Sequence, residues 1–226
     1  MATNQKPFYI ALGVVVVGGI AFIASRMGRA KDVPIPVNVV VTAADTAGFR
    51  GYVAGSPTAP VEVTEYADFQ CPHCGNFAQV QWPDLKVRLI ASGKARWRFR
   101  DFPIEGPGSV TAAHAAACAN DQGKYWPMEE LLFGRQTEWA LRPNPMPTIT
   151  DIARAAGMDV AAWNACMTSA KYAGRIQASG NEATALGVKY TPSFVIEGRI
   201  YTGLSADDIV RMVDSITAAH AAPGAH

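Results

Sequence analysis

Two cysteines separated by two residues, Cys71 and Cys74, lie where a predicted strand meets a predicted helix. The preceding segment, VEVTEYADF over residues 61–69, alternates and is rich in Val, Thr, Tyr and Phe, which is typical of a β-strand. From Pro72 onward the apolar residues recur at about helical spacing, so a helix is predicted there. A Cys-x-x-Cys pair at a strand-to-helix junction puts its first thiol at a helix N-terminus, and this restricts both fold and chemistry.

We interpret the pair as a redox centre. Unpaired N–H groups and the positive end of the helix dipole favour an anion, so the thiol of Cys71 should ionise readily. Cys74, one turn later, is expected to be more buried and to resolve a mixed disulfide. Pro72 suits the first helical turn, and His73 adds a hydrogen-bond donor, or a positive charge when protonated, beside Cys71. A stabilised thiolate makes the disulfide form a stronger oxidant.

A metal site and a purely structural disulfide are the alternatives for this pair. Zinc requires four ligands, and the sequence has no second Cys-x-x-Cys and no His-x-x-x-His pair. His114 and His220 stand alone in helical patterns. A structural Cys71–Cys74 disulfide would close a very small loop and constrain little. No metal and no other cofactor is therefore expected.

Charge and cysteine content exclude two further classes of protein. The 226 residues carry a formal net charge of +1, so the sequence has no basic footprint for nucleic acid. Four cysteines in a chain of this length are too few for a disulfide scaffold, so a packed core must provide stability. The length allows one such domain and an additional segment.

The N-terminal run from Phe8 to Ala24 has no polar side-chain group except the Tyr9 hydroxyl. As a helix it would be roughly 26 Å long, just enough to cross a bilayer. The hydrophobic region of a cleaved signal peptide is about 7–15 residues long, shorter than this run. Residues 1–31 are therefore predicted to contain one uncleaved transmembrane helix. A cleaved signal peptide, leaving a soluble periplasmic protein, is the alternative.

The basic residues beside this run conflict with the redox interpretation. Lys6 precedes the run, whereas Arg26, Arg29 and Lys31 follow it, which by the positive-inside tendency would leave the larger part in the cytoplasm. Disulfide chemistry requires the opposite side, the periplasm or the cell exterior. We expect an extracytoplasmic domain, and the conflict stays open.

The rest of the chain is predicted as a linker over residues 32–50 and one domain over residues 51–226, because the linker is rich in Pro, Gly and small residues. Pro83 lies inside the helix after Cys71 and should kink or split it, and Gly93 is its expected end. The order of elements indicates an α/β fold with a helical insertion. The predicted elements are a strand over 61–69, a helix from 72, a strand over 94–104, a helical block over about 107–187, strands over 192–198 and 199–203, and a helix over 205–220.

The segment DFQCPHC, the helical block and the segment GVKYTPSFVIEGRIYTG together resemble the DsbA-like branch of the thioredoxin superfamily, particularly its membrane-anchored members. The resemblance covers residues 51–219. It implies a thioredoxin-like fold with an inserted helical domain, here preceded by one transmembrane helix. The implied activity is donation of a disulfide to unfolded or partly folded exported proteins. The implied partner for reoxidation is a quinone-linked membrane oxidase.

The resemblance also implies roles for individual residues. Cys71 matches the cysteine that bonds to substrate, Cys74 matches the resolving cysteine, and Pro72–His73 is the dipeptide of strongly oxidising members. Thr191–Pro192 matches the loop in which a cis proline faces the disulfide and the preceding residue pairs with an extended substrate. Phe69, Phe77 and the residues around Tyr190 are candidates for an apolar substrate groove, with core packing as the alternative.

Glu65 and Thr191 are two positions at which the resemblance leaves alternatives open. Glu65 matches an acidic position beneath the active site, where a raised pKa would let it handle the proton of the resolving thiol; an exposed acid at a strand edge is the alternative. The strongly oxidising members usually have Val before the cis proline, whereas this chain has Thr191. A reductase or isomerase, for instance in cytochrome maturation, is therefore the alternative activity. A non-catalytic chaperone or binding module is a further alternative.

Cys118 and Cys166 both fall in Ala-rich helical segments. A disulfide between them would close a loop of about 49 residues and stabilise the fold by roughly 4 kcal/mol in the chain-entropy treatment. Some relatives carry a second disulfide, and thiols left reduced beside a strong oxidant would be a liability. The resemblance thus favours a structural Cys118–Cys166 disulfide over two separate buried thiols.

Overall fold

A computed structural model describes residues 18–19 and 35–221 of the chain. Within this part, no helix is both long and apolar enough to cross a membrane. The predicted transmembrane run over residues 8–24 lies outside the described residues except for residues 18 and 19, so the anchor stays a prediction.

A five-stranded mixed sheet organises the domain, in the order β1-β3-β2-β4-β5. Strands β2 and β3 are parallel and all other neighbours are antiparallel. A parallel pair requires a crossover, and residues 72–91 provide it as a helical run. The strands are β1 (Tyr52–Ala54), β2 (Val61–Ala67), β3 (Ala95–Asp101), β4 (Ser193–Ile196) and β5 (Arg199–Thr202).

The helical run after Cys71 changes its hydrogen bonding around Pro83. It consists of α2 (Pro72–Asn76), a π-helical turn (Phe77–Gln81), α3 (Trp82–Leu85) and a second π-helical turn (Lys86–Ala91). Pro83 has no N–H to donate, and just before it the N–H of Trp82 bonds to the carbonyl of Phe77 five residues back. The expected split at Pro83 thus takes the form of changes in helix type. Gly93, with φ of +72°, follows the end of the run as predicted.

The helical insertion lies between β3 and β4, as predicted. Its longest helices, α4 and α9, have the same length, and α4 is buried along most of its length because its many alanines allow close packing. The insertion consists of α4 (Pro107–Asn120), α5 (Tyr125–Gly134), α6 (Gln136–Trp139), α7 (Met146–Ala155), α8 (Val160–Ser169) and α9 (Ala173–Leu186).

The main apolar core lies on the face of the sheet that carries alternate residues of β2 and β3. The helical run over 72–91 and the C-terminal helix α10 (Ala206–Ala221) cover this face. Ser205 caps α10 by accepting the N–H of Asp208 at 3.2 Å, as predicted. The buried core residues are Val61, Val63, Phe77, Trp82, Leu85, Leu89, Ala95, Trp97, Phe194, Ile196, Ile209, Val210 and Val213.

The described part of the predicted linker, residues 35–50, contacts the helical insertion. It contains a short helix, α1 (Ala43–Thr46), and the buried side chain of Ile35. The guanidinium of Arg175 on α9 lies 4.1 Å from the ring centroid of Phe49. These contacts hold the segment against the domain, while the boundaries at residues 31 and 50 stay predictions.

Candidate active site

Cys71 and Cys74 are placed by the turn that joins β2 to α2. Cys71 is the N-cap of α2, with an extended backbone at φ −66° and ψ 120°, and Pro72 follows at the start of the helix. Both cysteines are reduced thiols, with Cys71 3% exposed and Cys74 fully buried. When protonated, Cys71 Sγ donates to the backbone carbonyl of Thr191 at 3.3 Å. The Cys-x-x-Cys motif and the Thr191–Pro192 segment therefore meet at the sulfur of Cys71.

The surroundings of Cys71 favour its thiolate. A hydrogen bond from the Cys74 thiol lowers the pKa of Cys71 to about 6, with burial opposing and with further bonds from the Thr191 side chain and the N–H groups of Cys74 and His73 contributing. Such donors at a helix N-terminus are the expected cause of an acidic thiol. At neutral pH the Cys71 sulfur is largely ionised, which makes it a nucleophile and a good leaving group.

Cys74 has the opposite tendency. Burial raises the pKa of Cys74 well above its usual range, and the hydrogen bond to Cys71 and the charge of Glu65 raise it further. Cys74 therefore stays a thiol that donates to the Cys71 thiolate. The pKa values of the two neighbouring sulfurs are therefore shifted in opposite directions.

Glu65 lies beneath the cysteines on the core face of β2. Its side chain is buried at 5% exposure, and the indole Nε1–H of Trp97 donates to its Oε2 at 2.9 Å. Burial raises the pKa of Glu65 to about 7, although the bond from Trp97 opposes the rise. Such a carboxyl can bind and release a proton near neutral pH. The alternative of an exposed acid at a strand edge is wrong.

A groove of about 400 Å³ has His73 of the Cys-x-x-Cys motif in its lining, although neither cysteine lines it. Its lining also includes Phe77, Tyr190 and the cis Thr191–Pro192 peptide. His73 is exposed, and Tyr190 is 68% exposed. Tyr190 thus lines the groove, whereas Phe77 borders it but is 3% exposed and packs in the main core, so the alternative of core packing describes Phe77 better. Phe69, the other candidate, is also buried in the core with its ring centroid 4.8 Å from that of Phe133.

The loop before Cys71 is held by a buried carboxylate that the sequence reasoning missed. Asp68 is 1% exposed, and its Oδ1 accepts the N–H of Gln70 at 2.7 Å. Its Oδ2 accepts the N–H groups of Ile104 and Glu105 at 2.7 and 2.8 Å. Asp68 therefore closes its own loop through one backbone donor and joins that loop to the segment before the insertion through two more.

A second missed residue, Gln136, reaches the same loop from α6. Its Nε2 donates to the carbonyls of Phe69 and Cys71 at 2.7 and 2.9 Å. A Cβ atom on Gly75 would lie 2.6 Å from Gln136 Oε1, so only glycine leaves room for this contact. A glycine inside a helix is unfavourable and indicates close approach of another group, and that was the available signal.

Cys118 and Cys166 form a disulfide that joins α4 to α8 inside the insertion. Next to it, Nδ1 of the buried His114 lies 3.6 Å from Cys118 Sγ, and Nε2 accepts the backbone N–H of Tyr172 at 3.1 Å. Burial lowers the pKa of His114 to about 4, so the ring is neutral. The alternative of two separate thiols does not describe this structure. The pair belongs to the insertion and not to the Cys71 site.

Comparison with known proteins agrees with this geometry. The sequence model of the thioredoxin family matches residues 49–215. A sodium/proton antiporter of Salinispora tropica is 33% identical over 156 residues, which make up 68% of this chain and 22% of that protein. A Rickettsia prowazekii protein, provisionally named a protein-disulfide oxidoreductase, is 29% identical over 72% of this chain and 60% of its own length.

A solved structure extends the comparison to the fold. The crystal structure of α-DsbA1 of Wolbachia pipientis matches with a TM-score of 0.67 at 24% identity, over 74% of this chain and 90% of that one. This likeness confirms the predicted thioredoxin-like fold with a helical insertion. The chain spans about a fifth to three fifths of the length of the curated relatives it matches.

Proposed function

Because the chain belongs to the thioredoxin family, we propose that it is a thiol:disulfide oxidoreductase of the DsbA type with Cys71–Cys74 as its redox centre. The observation that carries the proposal is the opposite behaviour of the two sulfurs. The pKa of Cys71 is lowered to about 6, while burial raises that of Cys74 well above its usual range. One sulfur is thus suited to attack and departure, and the other to resolution.

We propose that net disulfide donation is the direction of the reaction. A substrate thiolate attacks Cys71 Sγ of the oxidised pair, the Cys71–Cys74 bond breaks, and Cys74 leaves as a thiolate that takes a proton from Glu65. A second substrate thiolate then attacks the substrate sulfur of the mixed disulfide, and Cys71 leaves as a thiolate. Two electrons pass from substrate to protein. The acidic Cys71 supports this direction because a stabilised thiolate favours the reduced protein.

The proposed substrates are unfolded or partly folded exported proteins. Exposed Tyr190, with Phe77 and Pro192, gives the groove an apolar lining that suits substrates of varied sequence. Thr191, beside the sulfur, could pair with an extended substrate strand. Reoxidation by a quinone-linked membrane oxidase, an extracytoplasmic location and an N-terminal anchor complete the proposal. They rest on the family resemblance and on the apolar run over residues 8–24.

A reductase or isomerase is the second candidate, and Thr191 is the observation that favours it. Thr191 stands before the cis proline, where the strongly oxidising members that this chain resembles usually have valine, and threonine there is common in isomerases and some reductases. The second candidate predicts a reduction potential closer to that of thioredoxin than to that of DsbA.

The equilibrium reduction potential of Cys71–Cys74 separates the two candidates. The full chain, purified in detergent, would be equilibrated in glutathione buffers and its thiols trapped, with a Cys118→Ala/Cys166→Ala variant to remove the second pair. A value near −120 mV supports the oxidase, and a value near −270 mV identifies a reductase. Cys71→Ser, which cannot form the Cys71–Cys74 disulfide, is the negative control for thiol–disulfide exchange. If the Cys71→Ser variant kept the full function of the protein in the cell, a non-catalytic binding module would be supported instead.

A further inference from the structure

Glu129 on α5 has a buried carboxyl group that takes no part in the proposed thiol–disulfide exchange. It is 3% exposed, between Met128 and the exposed Glu130. Its Oε2 has no hydrogen-bond partner within the described part of the chain. A carboxyl buried without a partner is costly, so its presence requires an explanation.

The packing of α5 places Glu129 near Glu65. Tyr125 and Phe133 lie one turn before and one turn after Glu129 on the same helix face. The rings of both pack against Phe99, at centroid distances of 5.9 and 6.4 Å. Phe99 is the residue of β3 that pairs with Glu65 of β2. The helix face that carries Glu129 therefore covers the part of the sheet that carries Glu65.

The charges that act on Glu129 also indicate that it lies near Glu65, and they indicate a route from Glu129 to solvent. Burial raises the pKa of Glu129 well above its usual range, the charges of Glu65 and Glu130 raise it further, and Lys86 opposes the rise. Lys86 and Glu130 form a half-exposed ion pair at 2.5 Å. Glu129 is thus coupled to the buried acid at one side and to a solvent-exposed pair at the other.

Most other titratable groups on the elements packed against α5 are engaged elsewhere. Tyr125, on α5 itself, has a pKa that burial raises well above its usual range, so it stays neutral. Asp101 of β3 is the exception: its buried Oδ1 has no hydrogen-bond partner within the described residues, burial raises its pKa to about 7, and its charge acts on Tyr125. The engaged groups are His114 of α4 against Tyr172, His73 of α2 at the groove, Asp84 of α3 paired with Arg88, Glu138 of α6 paired with Arg135, and Asp151 and Arg154 of α7 paired with each other.

We infer that Glu129 is a proton-relay residue that connects Glu65 to solvent during thiol–disulfide exchange. The inference rests on the proposed function and extends it. When Cys74 leaves as a thiolate, the Glu65 carboxyl gives its proton to the sulfur and becomes a carboxylate. A water molecule between the two carboxyls carries the proton of Glu129 to Glu65, and Glu129 regains one from water near Lys86. The reverse reaction runs the same transfers backwards, and no electrons move beyond those of the exchange.

Glu129→Gln removes the relay proton while keeping the shape of the side chain. Above the pKa of Glu65, about 7, the wild-type protein can draw a proton from Glu129, whose pKa burial raises well above its usual range, whereas the variant has no proton to give there. Single-turnover oxidation of dithiothreitol by the oxidised full chain should therefore be about tenfold slower in the variant at pH 8.5 and nearly unchanged at pH 6. The matched control is Glu138→Gln, an exposed acid of α6 that pairs with Arg135 away from the relay, which should keep the wild-type pH profile.

A second measurement does not depend on folding of a variant. Carbon-13 NMR of glutamate carboxyls in the wild-type protein should show Glu129 titrating at different pH in the oxidised and reduced forms, because its proton is coupled to Glu65 and Cys74. Identical titration in both forms overturns the relay, as does a Glu129→Gln pH profile that matches that of Glu138→Gln. Wild-type protein that oxidises no dithiol at any pH overturns the proposed function together with the relay.

Discussion

The side-chain amide of Gln136 donates to the backbone carbonyl of Cys71 at 2.9 Å, although the two residues are 65 positions apart. The same nitrogen bonds to the carbonyl of Phe69 at 2.7 Å. The inserted helices thus hold the residue that begins the active-site helix. A site is as well ordered as the residues that support it, so the insertion is part of the proposed redox centre and not only an addition to the fold.

Replacing Gln136 by alanine should make Cys71 less acidic. Two backbone carbonyls lose their donor, and the loop that aims the sulfur at the helix N-terminus loosens, so fewer N–H groups stabilise the thiolate. We expect the pKa of Cys71 to rise from about 6. The free energy of unfolding should fall by about 1–2 kcal/mol. Thiolate absorbance against pH and urea unfolding measure the two effects.

Gln122→Ala is the matched control for this variant. Gln122 makes two bonds to the backbone of Asp159 inside the insertion, away from the cysteines. The control should lose similar stability without any change in the thiolate titration. Equal titrations in the two variants would show that Gln136 only stabilises the fold.

Gly75→Ala tests the same contact from the other side. The new Cβ would lie 2.6 Å from Gln136 Oε1, so the amide must move away from the Cys71 carbonyl. We expect a loss of about 1–3 kcal/mol in unfolding free energy and the same rise in the pKa of Cys71. The double variant with Gln136→Ala should lose less than the sum of the singles, since the clash is gone.

Gly134→Ala serves as the control for Gly75→Ala, because no heavy atom lies within 4 Å of a Cβ built there. It should leave both the thiolate titration and the stability nearly unchanged. Additive effects of Gly75→Ala and Gln136→Ala would contradict the direct contact.

The parts of the site that follow from local sequence could be predicted. Alternation along Val61, Val63 and Glu65 puts the acid on the core face of β2, and the helix start fixes Cys71 and Cys74. These features depend on residues close together in the chain, so period and capping rules are sufficient.

The supporting contacts could not be predicted because they depend on packing between distant segments. Asp68 and Gln136 find backbone partners on elements whose relative positions no local pattern encodes. For Phe69 the sequence left the groove and the core as alternatives; β2 ends at Ala67, and the loop turns the ring inward against Phe99, with centroids 5.5 Å apart. A hydrophobic side chain in a turn can point to the core or to solvent, and the packing of the surrounding core determines which.

Glu65→Gln should slow the resolution of the mixed disulfide without disturbing Cys71. The variant keeps an acceptor for the Trp97 indole but cannot exchange a proton with Cys74. We expect resolution to slow by about a hundredfold near pH 7, while the pKa of Cys71 stays about 6. Stopped-flow thiol exchange gives the rate, and thiolate absorbance gives the pKa.

Glu62→Gln is the control, because Glu62 lies on the opposite face of β2 and pairs with Arg96 and Arg98. It should leave the rate of resolution unchanged. If Glu65→Gln resolved the mixed disulfide as fast as Glu62→Gln, Glu65 would have no part in proton transfer.

The stability of the reduced protein relative to the oxidised protein should rise with pH. The pKa of Cys71 is depressed to about 6 in the folded protein, from an unfolded value near 9. The stability it contributes is therefore fully present above about pH 9 and is lost as pH falls through 6. The oxidised protein has no such titration, whereas Glu65, whose raised pKa acts with the opposite sign, is present in both forms and largely cancels.

Urea unfolding of both redox forms between pH 5 and 9 measures this difference. The reduced-minus-oxidised unfolding free energy should increase steadily over the range, and most of the increase should lie above pH 6. Cys71→Ser, which has no ionising sulfur at this position, should remove most of the increase in the reduced form. A difference that is flat, or that falls as pH rises, would mean that the thiolate of Cys71 is not stabilised by the fold, and the assignment of Cys71 as the attacking sulfur would then be wrong.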